Sequence, residues 1–253
     1  MSQLVKTEGF VLRVIPFQDE DLILTVLTGD LGKVSVFAKG ARRLRSRFGP
    51  EIDLLSLSEF VLVDAKNIKP LREVTLKQYF PRLKADYDHL SSALYGARLL
   101  SHLVREGQRD LKNLGLFAAL LHTLDREDAP VALYELAYKL RLLDNFGVAP
   151  HLESCVRCRK PAPTPWFSLE RGGVVCQACR LESDGRMKAG LAQGLSALRT
   201  MEWAKLERLR LGAQDIVLGS ALLDRFMAYH VQDAPLKQRA TKGTSLNKRL
   251  LQE

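Results

Sequence analysis

Long apolar runs are missing from this 253-residue chain, which nowhere approaches the 18 or more apolar residues that a membrane-spanning helix needs. Residues 1–10 carry Lys6 and Glu8 where a secretory signal would require an unbroken apolar segment. Internal repeats and low-complexity tracts are missing too, which sets aside collagen-like rods and compositionally disordered chains. No phosphate-cradling loop is found. Around Gly32-Lys33, a P-loop would need glycine where Leu27 stands and Ser or Thr where Val34 stands. No G-x-S-x-G turn or close Cys/His arrangement singles out a nucleophile. Acidic residues are comparatively scarce, with 29 Asp and Glu against 38 Lys and Arg for a net charge of +9. A content of 46% hydrophobic and 26% charged residues is ordinary for a globular protein. The expectation is a soluble, cytoplasmic, non-enzymatic protein that works by binding, with a polyanion as its partner and no membrane contact.

The first 80 residues carry strand signals. Short runs rich in Val, Ile, Leu and Phe fall at residues 9–17, 22–28, 33–38, 54–63 and 74–80. Thr28-Gly29-Asp30-Leu31-Gly32 reads as a hairpin loop, and residues 64–70 as a polar break closed by Pro70. Five strands in so short a span predict a small barrel, of OB-like or SH3-like type, the OB-fold being the commoner nucleic-acid platform. From Asp86 the period changes to three or four. Leu90, Leu94, Ala97, Leu100 and Val104 predict one helix; Leu114, Phe117, Leu121 and Leu124 a second; Leu133, Leu136, Leu140 and Leu143 a third, stopped by Gly147 and Pro150. Residues 187–209 and 213–230 predict two more. The fold class is therefore α+β and multi-domain: a barrel over residues 1–80 and a helical domain over 81–253, interrupted at 151–182.

That interruption holds all four cysteines, as Cys155-x-x-Cys158 and Cys176-x-x-Cys179. Two such pairs, each supplying thiolates from a tight turn, match the pattern for one tetrahedral zinc ion. Residues 166–175 between them read as a hairpin, which makes the segment a zinc ribbon. Four thiolates saturate the ion, so the predicted zinc is structural and the chain's net charge falls to about +7 when it binds. His151-x-Glu153 ahead of Cys176 superficially matches a zinc deaminase signature. However, Val175 stands where proline is required, and Cys155 and Cys158 would have no role.

Lys39, Arg42, Arg43, Arg45 and Arg47 place five cations in nine residues directly after the third strand, uninterrupted by any acid. A glycine-bearing basic loop beside a barrel face suits a phosphate backbone. Phe37 and Phe48 flank it as candidates to stack on bases, with barrel core as the competing role for Phe37. Asp19-Glu20-Asp21 makes the barrel unevenly charged. Lys237, Arg239, Lys242, Lys248 and Arg249 form a second basic patch in the tail.

In this order the parts resemble the RecO family of bacterial recombination mediators. The resemblance is carried by Glu8-Gly9-Phe10-Val11-Leu12, by Ala38-Lys39-Gly40-Ala41-Arg42 with Ser46-Arg47-Phe48, by the helical domain, and by the cysteine pairs with Gly172-Gly173-Val174 between them. It implies an N-terminal OB-fold joined to a helical domain with a zinc-finger-like element. It also implies binding of single- and double-stranded DNA, annealing without ATP, and work with RecR and the single-strand DNA-binding protein so that RecA can load. Lys39, Arg42, Arg43 and Arg47 match the family's basic loop, and Cys155, Cys158, Cys176 and Cys179 its zinc site. Some members lack cysteines, so zinc is not essential to the family's activity. A zinc-ribbon transcription or translation accessory factor without annealing activity is the alternative.

Overall fold

The computed structural model describes residues 3–232. The basic tail patch at Lys237 to Arg249 lies outside the described residues. Five strands, β1 (Leu4–Phe17), β2 (Asp21–Thr28), β3 (Gly32–Ala38), β4 (Leu57–Val63) and β5 (Ile68–Gln78), close into a barrel of order β1-β2-β3-β5-β4. All pairings are antiparallel except β3 with β5, which makes the barrel OB-like. Alternation drives it. Along β3, Val34, Val36 and Ala38 point inward to meet Val11, Leu24, Val26, Phe60 and Leu62.

β1 is long because it serves two neighbours. Residues 4–10 pair with β4 and residues 9–17 with β2, and a bulge at Leu12 lets the strand turn between them. Gly9 pairs on both sides, and a Cβ there would lie 2.5 Å from the Leu27 carbonyl oxygen, so the closure point has room only for glycine. Several strand boundaries differ from the sequence expectation: β4 starts at Leu57 rather than at 54, because Leu55 turns with a φ of 69°, and β5 ends at Gln78 rather than at 80. β1 starts at Leu4, its first half reading too polar to stand out. β5 starts at Ile68, inside the predicted break. Pro70 is tolerated because it occupies the last position of the three-residue ladder with β3.

Helices follow: α1 (Pro81–Ala85), α2 (Tyr87–Leu103), α3 (Leu111–Leu124) and α4 (Val131–Asn145). Asp86 caps α2 by accepting from the Asp88 and His89 amides, and Asp110 caps α3 by accepting from Asn113. After α4, Gly147 takes a φ of 70° and the Val148 amide returns to the Leu143 carbonyl, a glycine stop of the expected kind. The chain divides into two compact units, Met1–Tyr138 and Lys139–Glu253. Within the first, Phe10 of the barrel packs edge-on to Phe117 at 5.4 Å, and Lys33 donates to the Ser101 carbonyl at 2.6 Å.

The second unit contains β6 (Trp166–Ser168), β7 (Gly173–Val175), β8 (Gly185–Arg186), α5 (Ala189–Thr200) and α6 (Ala213–His230). The sequence predicts one helix over 187–209. Instead α5 stops at Thr200, Met201 is extended, and a 3-10 turn follows over Trp203–Arg208. Arg141 explains the stop, since its guanidinium donates to the Leu198 and Met201 carbonyls that a continued helix would use. Fully buried Lys139 is held by Asp224 at 2.6 Å and Ser220 at 3.1 Å.

Candidate nucleic-acid interface and metal centre

The basic loop leaves β3 at Ala38. Lys39, Arg42, Arg43, Arg45 and Arg47 are all exposed. Gly40 supplies the turn, with a φ of 67° and its carbonyl accepting from the Arg43 amide. The loop is fastened to the β1–β2 turn by Asp19, Glu20 and Asp21. The Gly40 amide donates to Asp21 Oδ1 at 2.7 Å, the Arg42 amide to the Glu20 carbonyl at 2.8 Å, and Arg42 Nη1 to the Asp19 carbonyl at 3.2 Å. Arg43 meets the Glu20 carboxylate at 2.5 Å. The acids that made the barrel look unevenly charged therefore form an anchor. Among the described residues, Arg43 alone of the five cations pairs with a carboxylate.

The aromatic neighbours divide their roles. Phe48 is 9% exposed and belongs to the barrel core, so it is not available to a base; Arg47 lies over its ring at 4.8 Å. Phe37 points to the outer face, edge-on to Phe17 at 5.9 Å, and Phe17 is 41% exposed. The strand registers align Ile15, Ile23, Phe37 and Pro70 across four strands, giving a half-buried apolar row beside the loop. Sequence reasoning missed Phe17; its place at the end of an alternating strand, just before the acidic turn, was the available signal.

In the second unit the four cysteines come together, their sulfurs all within 4.8 Å of one another. β6 and β7 form the expected hairpin, pairing Trp166 with Val175 and Ser168 with Gly173. The hairpin draws in the first cysteine pair through Val174 donating to His151 and Val156 donating to Val174. At Gly173 a Cβ would lie 2.3 Å from the His151 carbonyl oxygen, so glycine permits the approach. Each pair sits on a tight turn: Arg159 donates to the Cys155 carbonyl at 2.9 Å and Cys179 to the Cys176 carbonyl at 3.0 Å.

The donor set fits a tetrahedral thiolate site. Metal–sulfur bonds of about 2.3 Å put sulfurs about 3.8 Å apart, and Cys158 Sγ lies 3.8 Å from Cys176 Sγ, far beyond a disulfide bond. Burial opposes ionisation of Cys155, but the backbone amides of Cys158, Cys176 and Arg157 outweigh it and bring the thiol down to about 6. Cys179 is pushed up to about 12, first by its hydrogen bond to Cys176 and then by burial. Four sulfurs this close cannot all ionise unaided, and a dication removes that obstacle. Among the described residues, this is the single group of His, Cys, Asp and Glu side chains placed to hold a metal.

His151 and Glu153 stand outside the sulfur group. Glu153 pairs with Arg199, accepts from Ser196 at 3.1 Å and lies 3.4 Å from His151. Burial would raise its carboxyl, but Arg199 and the nearby amides hold it below the ordinary range, so it is an ionised partner of α5.

Comparison with known proteins agrees with both halves of this description. The family model for the Recombination protein O N terminal matches residues 1–80, and that for the Recombination protein O C terminal matches residues 84–240. A DNA repair protein RecO from Alkaliphilus metalliredigens is 34% identical over 177 residues, 70% of this chain and 72% of that protein. Another, from Desulforudis audaxviator, is 32% identical over 238 residues, 91% of this chain and 93% of its own length. With the barrel and the cysteine-bearing helical part each matched, the chain belongs to the RecO family of DNA repair proteins.

Proposed function

We propose that this chain is a recombination mediator that binds single- and double-stranded DNA and anneals complementary strands without ATP. In this reading it assists loading of RecA onto DNA coated by the single-strand DNA-binding protein, together with RecR, in the bacterial cytoplasm at the nucleoid. The observation that carries it is the exposed basic loop, fastened by its acidic anchor beside Phe17 and Phe37. Lys39, Arg42, Arg43, Arg45 and Arg47 follow the phosphates, while the two rings offer faces to unpaired bases. Annealing needs two like-charged strands held close. Cations on the protein screen their repulsion without reading sequence, and base pairing supplies the driving force. No bond is broken and no general acid or base is required.

In the working division, residues 1–80 act as the DNA-binding barrel, 81–253 as the helical domain, and 151–182 as a metal-binding insertion. Cys155, Cys158, Cys176 and Cys179 would hold one structural zinc ion. When bound, the ion supplies a cross-link between the two cysteine turns and keeps no coordination position for a substrate.

The test is to mix the protein with two complementary oligonucleotides and no nucleotide. Duplex should form many times faster than without protein, and the strands should be recovered chemically unchanged. Binding without acceleration would favour the accessory-factor alternative, and modified bases would overturn the non-enzymatic reading.

A further inference from the structure

The basic loop is not the only place where cations gather. Residues 155–188, which span the cysteine turns, carry seven Lys and Arg against three Asp and Glu. A dication on four thiolates has a net charge of −2, so this excess is larger than charge compensation of the centre requires. Arg157, Arg159, Lys160, Arg180 and Arg186 are exposed, and among the described residues none of them pairs with a carboxylate.

The fold gathers them. Arg157, Arg159 and Arg180 each adjoin a cysteine in sequence, and the four sulfurs meet within 4.8 Å, so the three residues leave the chain close to one small centre. Arg180 lies over the Trp166 ring at 4.1 Å, and Arg186 is the cross-strand partner of Trp166, which places both beside the same indole. Arg159 is informative in a second way. Its φ is 62°, a left-handed conformation that glycine takes freely and a side chain takes only under strain. Glycine at that position would relieve the strain.

We propose that this cysteine-centred module is a second binding surface for single-stranded DNA, separate from the barrel loop. It grips phosphate through Arg157, Arg159, Lys160 and Arg186, while the Arg180 guanidinium, already stacked on Trp166, presents its free face to a base. The inference deepens the annealing reading and rests on it: a mediator with one strand on the barrel loop needs somewhere to receive the other.

The experiment separates the two ideas by removing the barrel loop first. In full-length, zinc-loaded protein with Arg42, Arg43, Arg45 and Arg47 all changed to Gln, binding of a labelled oligothymidine at low salt should weaken but persist. Adding Arg157→Gln, Lys160→Gln and Arg186→Gln should then lower the residual affinity by at least tenfold and flatten its log-log salt slope by about 0.7 for each phosphate no longer neutralised. Zinc content should be unchanged. In an otherwise wild-type protein, these three changes should leave binding of the first strand within twofold and slow annealing by at least tenfold.

Arg159→Gly is the second variant. It relieves the left-handed strain, so its melting temperature should hold or rise while residual DNA affinity falls, opposite movements that a structural role would not produce. Residual binding that ignores the module changes, or that is absent once the barrel loop is neutralised, would overturn the proposal. Strand binding that depends on the module, in a protein that does not anneal, would support the surface and count against the mediator reading alone.

Discussion

The basic loop of the barrel and the cysteine-centred module both hold cations on short irregular segments, but they are ordered by different means. The loop is fastened by carboxylates and carbonyls of residues 19–21, across distances of 2.5–3.2 Å in an exposed to half-buried setting. The module is drawn together by its hairpin and by four sulfurs that a metal would cross-link. One of the loop's fastenings, Arg43 with Glu20, is an exposed ion pair, which is weak and salt-sensitive and worth roughly 1 kcal/mol or less, and the others are single hydrogen bonds of similar worth. A structural metal site contributes folding energy outright and is indifferent to modest salt. Order in the loop should therefore soften gradually with conditions, whereas order in the module should be present or absent with the metal.

The largest break in that symmetry should come from Cys176→Ser. Losing one ligand should release the zinc and lower the melting temperature of the second unit, with altered Trp166 fluorescence as the local reporter. Single-strand affinity at the barrel should stay within about twofold. Purified protein analysed for metal should show one zinc ion per wild-type chain and much less in the variant. A wild-type chain without stoichiometric metal, or a variant that melts like it, would remove the metal from the account.

Phe17→Ala with Phe37→Ala should have an intermediate effect. Base stacking is worth roughly 1–3 kcal/mol per base, so single-strand affinity should fall about tenfold or more, while duplex affinity and the salt slope hardly change. Because Phe17 is 41% exposed and Phe37 is half-buried outside the barrel core, the loss of thermal stability should be moderate. Equal losses on single and double strands would mean that the rings support the loop and do not touch bases.

Glu20→Gln should have the smallest effect and the opposite sign. It removes the carboxylate facing Arg43 and leaves the Glu20 carbonyl that receives the Arg42 amide. Single-strand affinity at low salt should rise by about twofold, because one more cation is free for phosphate, with stability within about 0.5 kcal/mol. A fall in affinity would show that the pair positions Arg43 for DNA.

These two regions also differ in how readily they can be read from residues alone. The cysteine module was legible because its chemistry is local: ligand spacing fixes the turns, and the apolar pairs around Glu170-Arg171-Gly172-Gly173 read as a hairpin. Its third strand, β8, is only Gly185–Arg186 and carries no pattern, so the placing of Arg186 beside Trp166 could not be foreseen. On the barrel, a short run rich in Val and Phe revealed β3, whereas the polar start of β1 and the proline in β5 concealed strand residues that only closure makes strands. The five cations were plain in the sequence, but their anchor lies about twenty residues away, and the acids that form it read as a counter-argument. Phe48 misled for a related reason. Adjacent to arginines it resembles a stacking residue, and only the folded barrel turns it into the core.

Salt dependence of single-strand binding tests the central claim, that DNA lies along the barrel loop, most directly. Affinity for one oligonucleotide should be measured across a range of salt concentrations for the wild type and for the protein with Arg42, Arg43, Arg45 and Arg47 changed to Gln. The log-log slope should flatten by about 0.7 for each phosphate that the variant leaves without its cation, up to about 3 for all four. An unchanged slope would mean that the strand runs elsewhere on the protein and that the loop is solvated surface.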